Sequence, residues 1–268
     1  MVTTPIITFI SDQNEPDLYI DVTDLPNPST MNIPIGIANT HPSATLYFKV
    51  SIVSPPAAYS VSSTNLGSLA IGTSAIFTFT PVRALPTLTA GEYDETLTFR
   101  VDAYTDSGYS AAYANQTLNV TIHHFNHTDP SWTAVSHDTF DGADNDGWGG
   151  VNCGKTSAYG FLSSPCAFMC AYDQNQGYSW SGYKNFVVGN YTKARFVLHI
   201  KAPDPYNQQS VEINIDGVAK KQRDVHLPAD TWCRLAYNMP VNKTTLVRVH
   251  SQTYSGAVVI DEIWVIAK

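Results

Sequence analysis

Leu46-Tyr47-Phe48-Lys49-Val50-Ser51-Ile52 is the stretch that decides the fold class. Successive side chains of an extended chain point to opposite faces, so Leu46, Phe48, Val50 and Ile52 share one face and Tyr47, Lys49 and Ser51 the other. That is the pattern of a strand buried on one side. Leu97, Phe99, Val101 and Ala103 alternate in the same way with Thr98, Arg100 and Asp102, and Leu118, Val120 and Ile122 with Thr117, Asn119 and Thr121. No stretch long enough for a long helix keeps apolar residues at helical spacing, and 16 Gly and 16 Pro interrupt the chain throughout. The first half is therefore expected to be a β-sandwich.

The second half alternates too. Phe196, Leu198 and Ile200 form one run; Val211, Ile213 and Ile215 form another that ends in Asp216-Gly217. Such a pair between apolar runs marks a hairpin, because a type I′ turn needs positive φ at both central positions. Between Ile122 and Thr133 the alternation stops, and His123-His124-Phe125-Asn126-His127-Thr128-Asp129-Pro130-Ser131 reads as a solvent-exposed connector. The expectation is an all-β chain with one sandwich over 1–122, a linker over 123–133 and a second sandwich over 134–268. A length of 268 residues suits two cores.

Composition narrows the setting. Charged residues make up 14% of the chain, against about 25% in an average soluble domain, so Ser, Thr, Asn, Gln and Tyr must supply most of the polar surface. Such surfaces are common on secreted, cell-surface and virion proteins. A net charge of −8, with only Lys220, Lys221 and Arg223 as a basic cluster, argues against nucleic-acid binding. No apolar run reaches the roughly 18 residues of a membrane span, so membrane insertion is not expected. The first residues lack the marks of a secretory leader, so the route to the expected extracellular location, on a virion or cell surface, is not visible in the sequence. Ile6, Ile7, Phe9 and Ile10 form a β-prone run with two readings, a strand paired only within its own sandwich or, as preferred, one that adds to the sheet edge of a neighbouring subunit, which makes self-assembly the first expected partnership.

Several residue groups are candidates for chemistry. Asp138, Asp141, Asp144 and Asp146 are the densest acidic cluster, and carboxylate oxygens suit a hard cation such as calcium. The loop departs from an EF-hand, with Gly142 at the first ligand position and Cys153 at the last. A calcium site and an acidic turn whose Asp and Asn support the bend both stand as readings. Tyr172, Tyr178, Trp180 and Tyr183, beside Asn175, Gln176 and Asn185, combine flat aromatic faces with amides as a glycan site would; the other reading is that these rings cap the sandwich or fill an interface. Cys153, Cys166, Cys170 and Cys233 leave two disulfides, one or none open, with at least one expected for an oxidising destination. Asn115, Asn119, Asn126, Asn190 and Asn242 each open an Asn-x-Thr glycosylation acceptor. Asp261 and Glu262 are adjacent on an expected strand and so face apart, which rules them out as a self-sufficient glycosidase pair. With no nucleophile elbow or metalloprotease helix either, no enzyme is expected.

Two stretches carry family resemblances. Leu66-Gly67-Ser68-Leu69-Ala70-Ile71-Gly72-Thr73-Ser74-Ala75-Ile76-Phe77-Thr78-Phe79, followed by Ala90-Gly91-Glu92-Tyr93 and the strand to Val101, resembles the Ig-like β-sandwich repeats of envelope proteins and of modular polysaccharide-active enzymes. This likeness runs over roughly residues 12 to 122 and implies a spacer or adhesive unit. In the second half the opening from His137 to Trp148, the segment Val211 to Gly217, Thr231-Trp232 and the closing Val259 to Val265 resemble jelly-roll carbohydrate-binding modules and their lectin-like relatives. That resemblance implies a structural calcium between the first and last strands, with Asp261 near Asp138 and Asp141; no other cofactor is implied. The functional expectation is a non-catalytic surface protein, structural or adhesive, such as a virion decoration, fibre or filament subunit with an Ig-like spacer and a jelly-roll head. The alternative is a carbohydrate-binding pair directed at a polysaccharide or cell-surface glycan.

Overall fold

The computed structural model describes residues 7–10, 18–21, 33–53, 64–79, 91–142, 145–150, 153–156, 167–171, 181–201, 209–219, 225–227, 232–251 and 257–268. Among these the regular elements are all strands: β1 (Ile7–Ile10), β2 (Leu18–Asp21), β3 (Ile33–Asn39), β4 (Leu46–Ile52), β5 (Thr64–Leu69), β6 (Ser74–Phe79), β7 (Glu92–Tyr104), β8 (Ala112–Phe125), β9 (Thr133–Asp138) and β10 (Gly149–Gly150). There follow β11 (Cys153–Thr156), β12 (Ala167–Ala171), β13 (Ser181–Val188), β14 (Ala194–Lys201), β15 (Gln209–Ile215), β16 (Val218–Ala219), β17 (Val225–Leu227), β18 (Trp232–Met239), β19 (Lys243–Ser251) and β20 (Ala257–Ala267). The all-β expectation holds. Among the described residues no helix is long and apolar enough to cross a membrane.

In the N-terminal half a three-stranded sheet, β1-β3-β6, accompanies a run of five strands, β2-β8-β7-β4-β5. The alternation read from Leu46 to Ile52 appears as burial: Leu46, Phe48 and Val50 are buried with Leu97, Phe99 and Val101 of β7 and Ile37 of the smaller sheet. Gly72 and Gly91 hold φ of +72° and +77°, so both turn positions favour glycine. In the C-terminal half one sheet, β10-β13-β19-β15-β16 with β17 on β15, faces another built on β12-β20-β14-β18. Phe186, Val188, Ile213, Ile215, Val247 and Val249 of the first meet Phe196, Leu198, Ile200, Tyr237, Ile260, Ile263 and Val265 of the second in one apolar cluster. A β-sandwich results, each such buried side chain contributing about 1.5–3 kcal/mol.

The two halves share a sheet. Tyr19 of β2 pairs with Ala236 of β18, while β2 runs parallel to β8, so the large N-terminal sheet continues into the C-terminal one through eleven strands. This explains β14, whose residues Ala194 to Ile200 are all buried. Phe196, Leu198 and Ile200 enter the sandwich core; Val197, on the opposite face, joins Phe125, Trp132, Ala236 and Ile266 in a second cluster beneath the N-terminal half.

One expectation is corrected here. The segment 123–133 is not an exposed connector: His123, His124 and Phe125 complete β8, and His124, Phe125, His127 and Trp132 are buried. Its apolar alternation fails because both faces of the chain are covered at that point. The N-terminal run pairs on one side, Ile7 to Ile10 running antiparallel to Asn39 to Gly36 of β3, and β1 is the edge strand of its sheet.

Candidate functional site

The exposed face of the β13–β19–β15 sheet is the best-formed surface for a ligand. Alternation on β13 buries Phe186 and Val188 and turns Tyr183, Asn185 and Val187 outward. Register then sets Tyr183 opposite Arg248 of β19, and Arg248 opposite Asn214 of β15. One row across three strands thus carries a phenol ring, a guanidinium and an amide, with the Asn185 amide one step along the same strand. Tyr183 is 46% exposed and Val187 69%. The edge strand makes room for the ring: a Cβ at Gly149 would lie 2.9 Å from Cζ of Tyr183, so only glycine lets the ring rest over β10. Asn214 is fixed by its own turn, its Oδ1 accepting the Gly217 N–H at 2.9 Å. Asp216 and Gly217 both have positive φ, as the Asp-Gly hairpin reading requires.

The acidic turn contains a cation of its own. Lys184, on the opposite side of β13 from Tyr183, donates from Nζ to both Asp138 oxygens at 2.8 Å and to the Asp146 carbonyl at 2.6 Å. Trp148 Nε1 adds a 2.8 Å bond and Ser136 Oγ a 3.0 Å bond to the same Asp138 carboxylate, which is buried. Asp146 Oδ2 accepts the Phe140 N–H, closing the turn. Asp141 is exposed, and Asp261 is buried at a bulge in β20. Asp144 lies outside the described residues. Among the described residues no group of three or more His, Cys, Asp or Glu side chains converges as metal ligands.

The third concentration of chemistry, which the sequence did not suggest, is the junction between the halves. Asp21 of β2, with its side chain fully buried, receives His127 Nδ1 at 2.7 Å and Arg234 at 3.1 Å. Arg234 Nε donates to His199 Nε2, and His199 and His137 both reach Glu262. Burial, and then the Arg234 guanidinium beside it, depress the His199 imidazole to about 3. Burial depresses His124, at the end of β8, to about 4. Nearby, Glu92 takes Lys193 and Lys268 at 2.7 Å each. Its burial raises the carboxyl, but those two hydrogen bonds and charges outweigh this and hold it below the usual range. Arg195 lies 4.6 Å over the Tyr19 ring and Lys268 4.5 Å over Trp132. These ties bind the halves face to face.

The remaining candidates divide as follows. Tyr172, Asn175, Gln176, Tyr178 and Trp180 lie outside the described residues, so Tyr183 and Asn185 alone represent the expected aromatic and amide site. Cys153 is a half-buried free thiol, and its strand register places it opposite Cys170. Cys166 lies outside the described residues, as do the side chains of Cys170 and Cys233. Asn115, Asn119, Asn190 and Asn242 are exposed, and Asn126 is half-buried with Oδ1 accepting the Thr128 N–H and hydroxyl. Trp148 is in the core as expected, whereas Trp264 is half-buried with His137 stacked on it at 3.5 Å.

No family model matches the chain, and no curated protein matches it. Solved structures with a similar arrangement include the CBM22-1 xylan-binding domain from Paenibacillus barcinonensis Xyn10C, at 12% identity over 51% of this chain and 96% of that one, with a TM-score of 0.40. A family 35 carbohydrate binding module from Clostridium thermocellum shows 12% identity over 46% of this chain and 93% of that one, at 0.36. The K3 cleaved adhesin domain of Lys-gingipain from Porphyromonas gingivalis shows 11% over 51% and 99%, at 0.39. With every one of these scores below 0.5, no residue role passes from them to this chain.

Proposed function

We propose that this chain is a non-catalytic, surface-exposed adhesion protein whose jelly-roll half contacts glycans through the outer face of β13, β19 and β15. The observation that carries this reading is the in-register row Tyr183–Arg248–Asn214, with Tyr183 and Arg248 exposed and Asn214 half-buried, extended by the exposed Asn185. A pyranose ring offers C–H groups to an aromatic face and hydroxyls to amides and guanidinium groups, and these side chains supply both on one flat surface. The N-terminal half, an Ig-like sandwich in this reading, serves as the rigid support that presents that face. The binding role, which began as the alternative, is preferred to assembly into a virion or filament because the outer face of β13, β19 and β15 aligns an aromatic ring, a guanidinium and an amide in one row.

Affinity gel electrophoresis against a panel of soluble α- and β-linked polysaccharides tests the proposal. At least one polysaccharide should retard the native protein, and Tyr183→Ala should weaken that retardation by about three- to tenfold, the worth of one stacking contact. Absence of retardation across the panel, or retardation that Tyr183→Ala leaves unchanged, would overturn it.

A further inference from the structure

The far end of the N-terminal half carries a tyrosine cluster unconnected with the sheet face above. β7, thirteen residues long, begins at Glu92, which is tied to the C-terminal half, and ends at Tyr104. At about 3.3 Å per residue, Tyr104 lies about 40 Å away from the junction. There Tyr47 and Tyr104 are cross-strand partners on the outward face of β4 and β7. Tyr109, from the turn joining β7 to β8, stands nearly perpendicular to both: 80° to Tyr47 at 6.3 Å between centroids, and 82° to Tyr104 at 5.5 Å. All three are half-buried, so each retains an open portion.

The backbone is held in an uncommon state to achieve this. Tyr109 adopts φ of +54°, a left-handed conformation that costs a non-glycine residue on the order of 1–2 kcal/mol. Asp106 keeps the turn in that form, its carboxylate accepting the Ala111 N–H at 2.7 Å and both the N–H and the hydroxyl of Ser110. These bonds, that from Ala111 foremost, hold the Asp106 carboxyl below its ordinary range, so an anion persists in the turn that carries Tyr109. Directly after the turn, a bulge leaves Tyr113 without a register partner on β7, and its hydroxyl meets His41 at 3.0 Å.

The ring faces also differ from those at the junction. Tyr19 and Trp132 are covered by the chain's own Arg195 and Lys268. Among the described residues no lysine or arginine lies over Tyr47, Tyr104 or Tyr109. A flat stacking platform for a sugar needs coplanar rings, whereas a compact cation is best met by faces set at right angles, whose negative quadrupoles converge on one point.

We propose that Tyr47, Tyr104 and Tyr109 form a half-cage for a quaternary or methylated ammonium group, with Asp106 as the nearby anion. The group could arrive on a free metabolite or on a lipid headgroup, and the test separates these sources. The full-length protein is titrated with tetramethylammonium, with phosphocholine and with 3,3-dimethylbutan-1-ol, the neutral isostere of choline, following tyrosine ring signals by NMR. Sedimentation with phosphatidylcholine and phosphatidylglycerol vesicles forms a second arm.

Both cations should bind, and the neutral isostere about fivefold or more weakly. Tyr109→Gly removes a ring and relieves the strained φ, so it should keep the native melting temperature while losing cation binding about five- to tenfold. Tyr104→Leu should lose it similarly, and Tyr183→Ala should not. Co-sedimentation with phosphatidylcholine alone assigns the lipid source; cation binding without vesicle binding assigns the free one. Equal affinity for the isostere, no cation binding, or binding unchanged in both ring variants would overturn the cage, as would loss of polysaccharide retardation in Tyr109→Gly.

Discussion

Acid should loosen this protein at the junction, and the histidines there set how much. His199 and His124 are held neutral by burial, with folded-state values of about 3 and about 4 against an ordinary 6.5. An imidazole depressed in this way takes its proton more readily in the unfolded chain. Its stabilising contribution is therefore complete above pH 6.5 and shrinks as pH falls towards the folded value. At 1.36 kcal/mol per unit, each histidine forfeits about 3 kcal/mol between pH 6.5 and pH 4. Together they account for a large part of the roughly 5–15 kcal/mol that holds a domain folded. Protonated His199 would also stand beside Arg234, whose Nε now donates to its Nε2. Asp21, Glu262, His127 and His137 face the same cluster, so the informative quantity is a difference. His199→Gln keeps an acceptor for Arg234 but cannot be protonated. Urea unfolding at pH 7.5 and at pH 4.0 should show the native protein losing about 3 kcal/mol more than the variant over that interval. Parallel losses in the two proteins would refute the reasoning.

Other perturbations have comparably direct readings. Lys184→Met leaves Asp138 buried without its cation and should cost about 3–5 kcal/mol in urea unfolding, whereas the double change Lys184→Met with Asp138→Asn should recover most of that loss. Because the Lys184 ammonium already sits on Asp138 and the Asp146 carbonyl, millimolar calcium and chelator should give the native protein the same melting temperature; a rise in calcium would revive the metal reading of the turn. Gly91→Ala brings a Cβ to within 2.7 Å of Asp129 Cγ at a φ of +77°, and should lower stability by about 1–3 kcal/mol, measured as a lower urea midpoint.

What the sequence revealed and what it concealed have one physical cause. Period-two alternation reports a strand with one dry and one wet face, and it located β4, β7 and β8 because each has such a face over most of its length. Where a second body covers the wet face, the signal disappears. β14 shows this within a single strand: Phe196, Leu198 and Ile200 announced the core, while Arg195, Val197 and His199 on its other face are also buried, beneath the N-terminal half. The end of β8 shows the same loss, since His123-His124-Phe125 reads as loop composition but continues the ladder opposite Asp94, Tyr93 and Glu92. Charge patterning has a related limit. Lys184, the cation held by Asp138 and by the Asp146 carbonyl, lies 46 residues beyond Asp138 in sequence and is adjacent only after β13 packs against the turn. Sites built within one strand or turn, such as Tyr183 with Asn185 or Asp216 with Gly217, can be read locally. A site assembled across strands, like Tyr183–Arg248–Asn214 or Tyr47–Tyr104–Tyr109, requires the register, and a pair of halves joined through Asp21, His127 and Arg234 requires the fold itself.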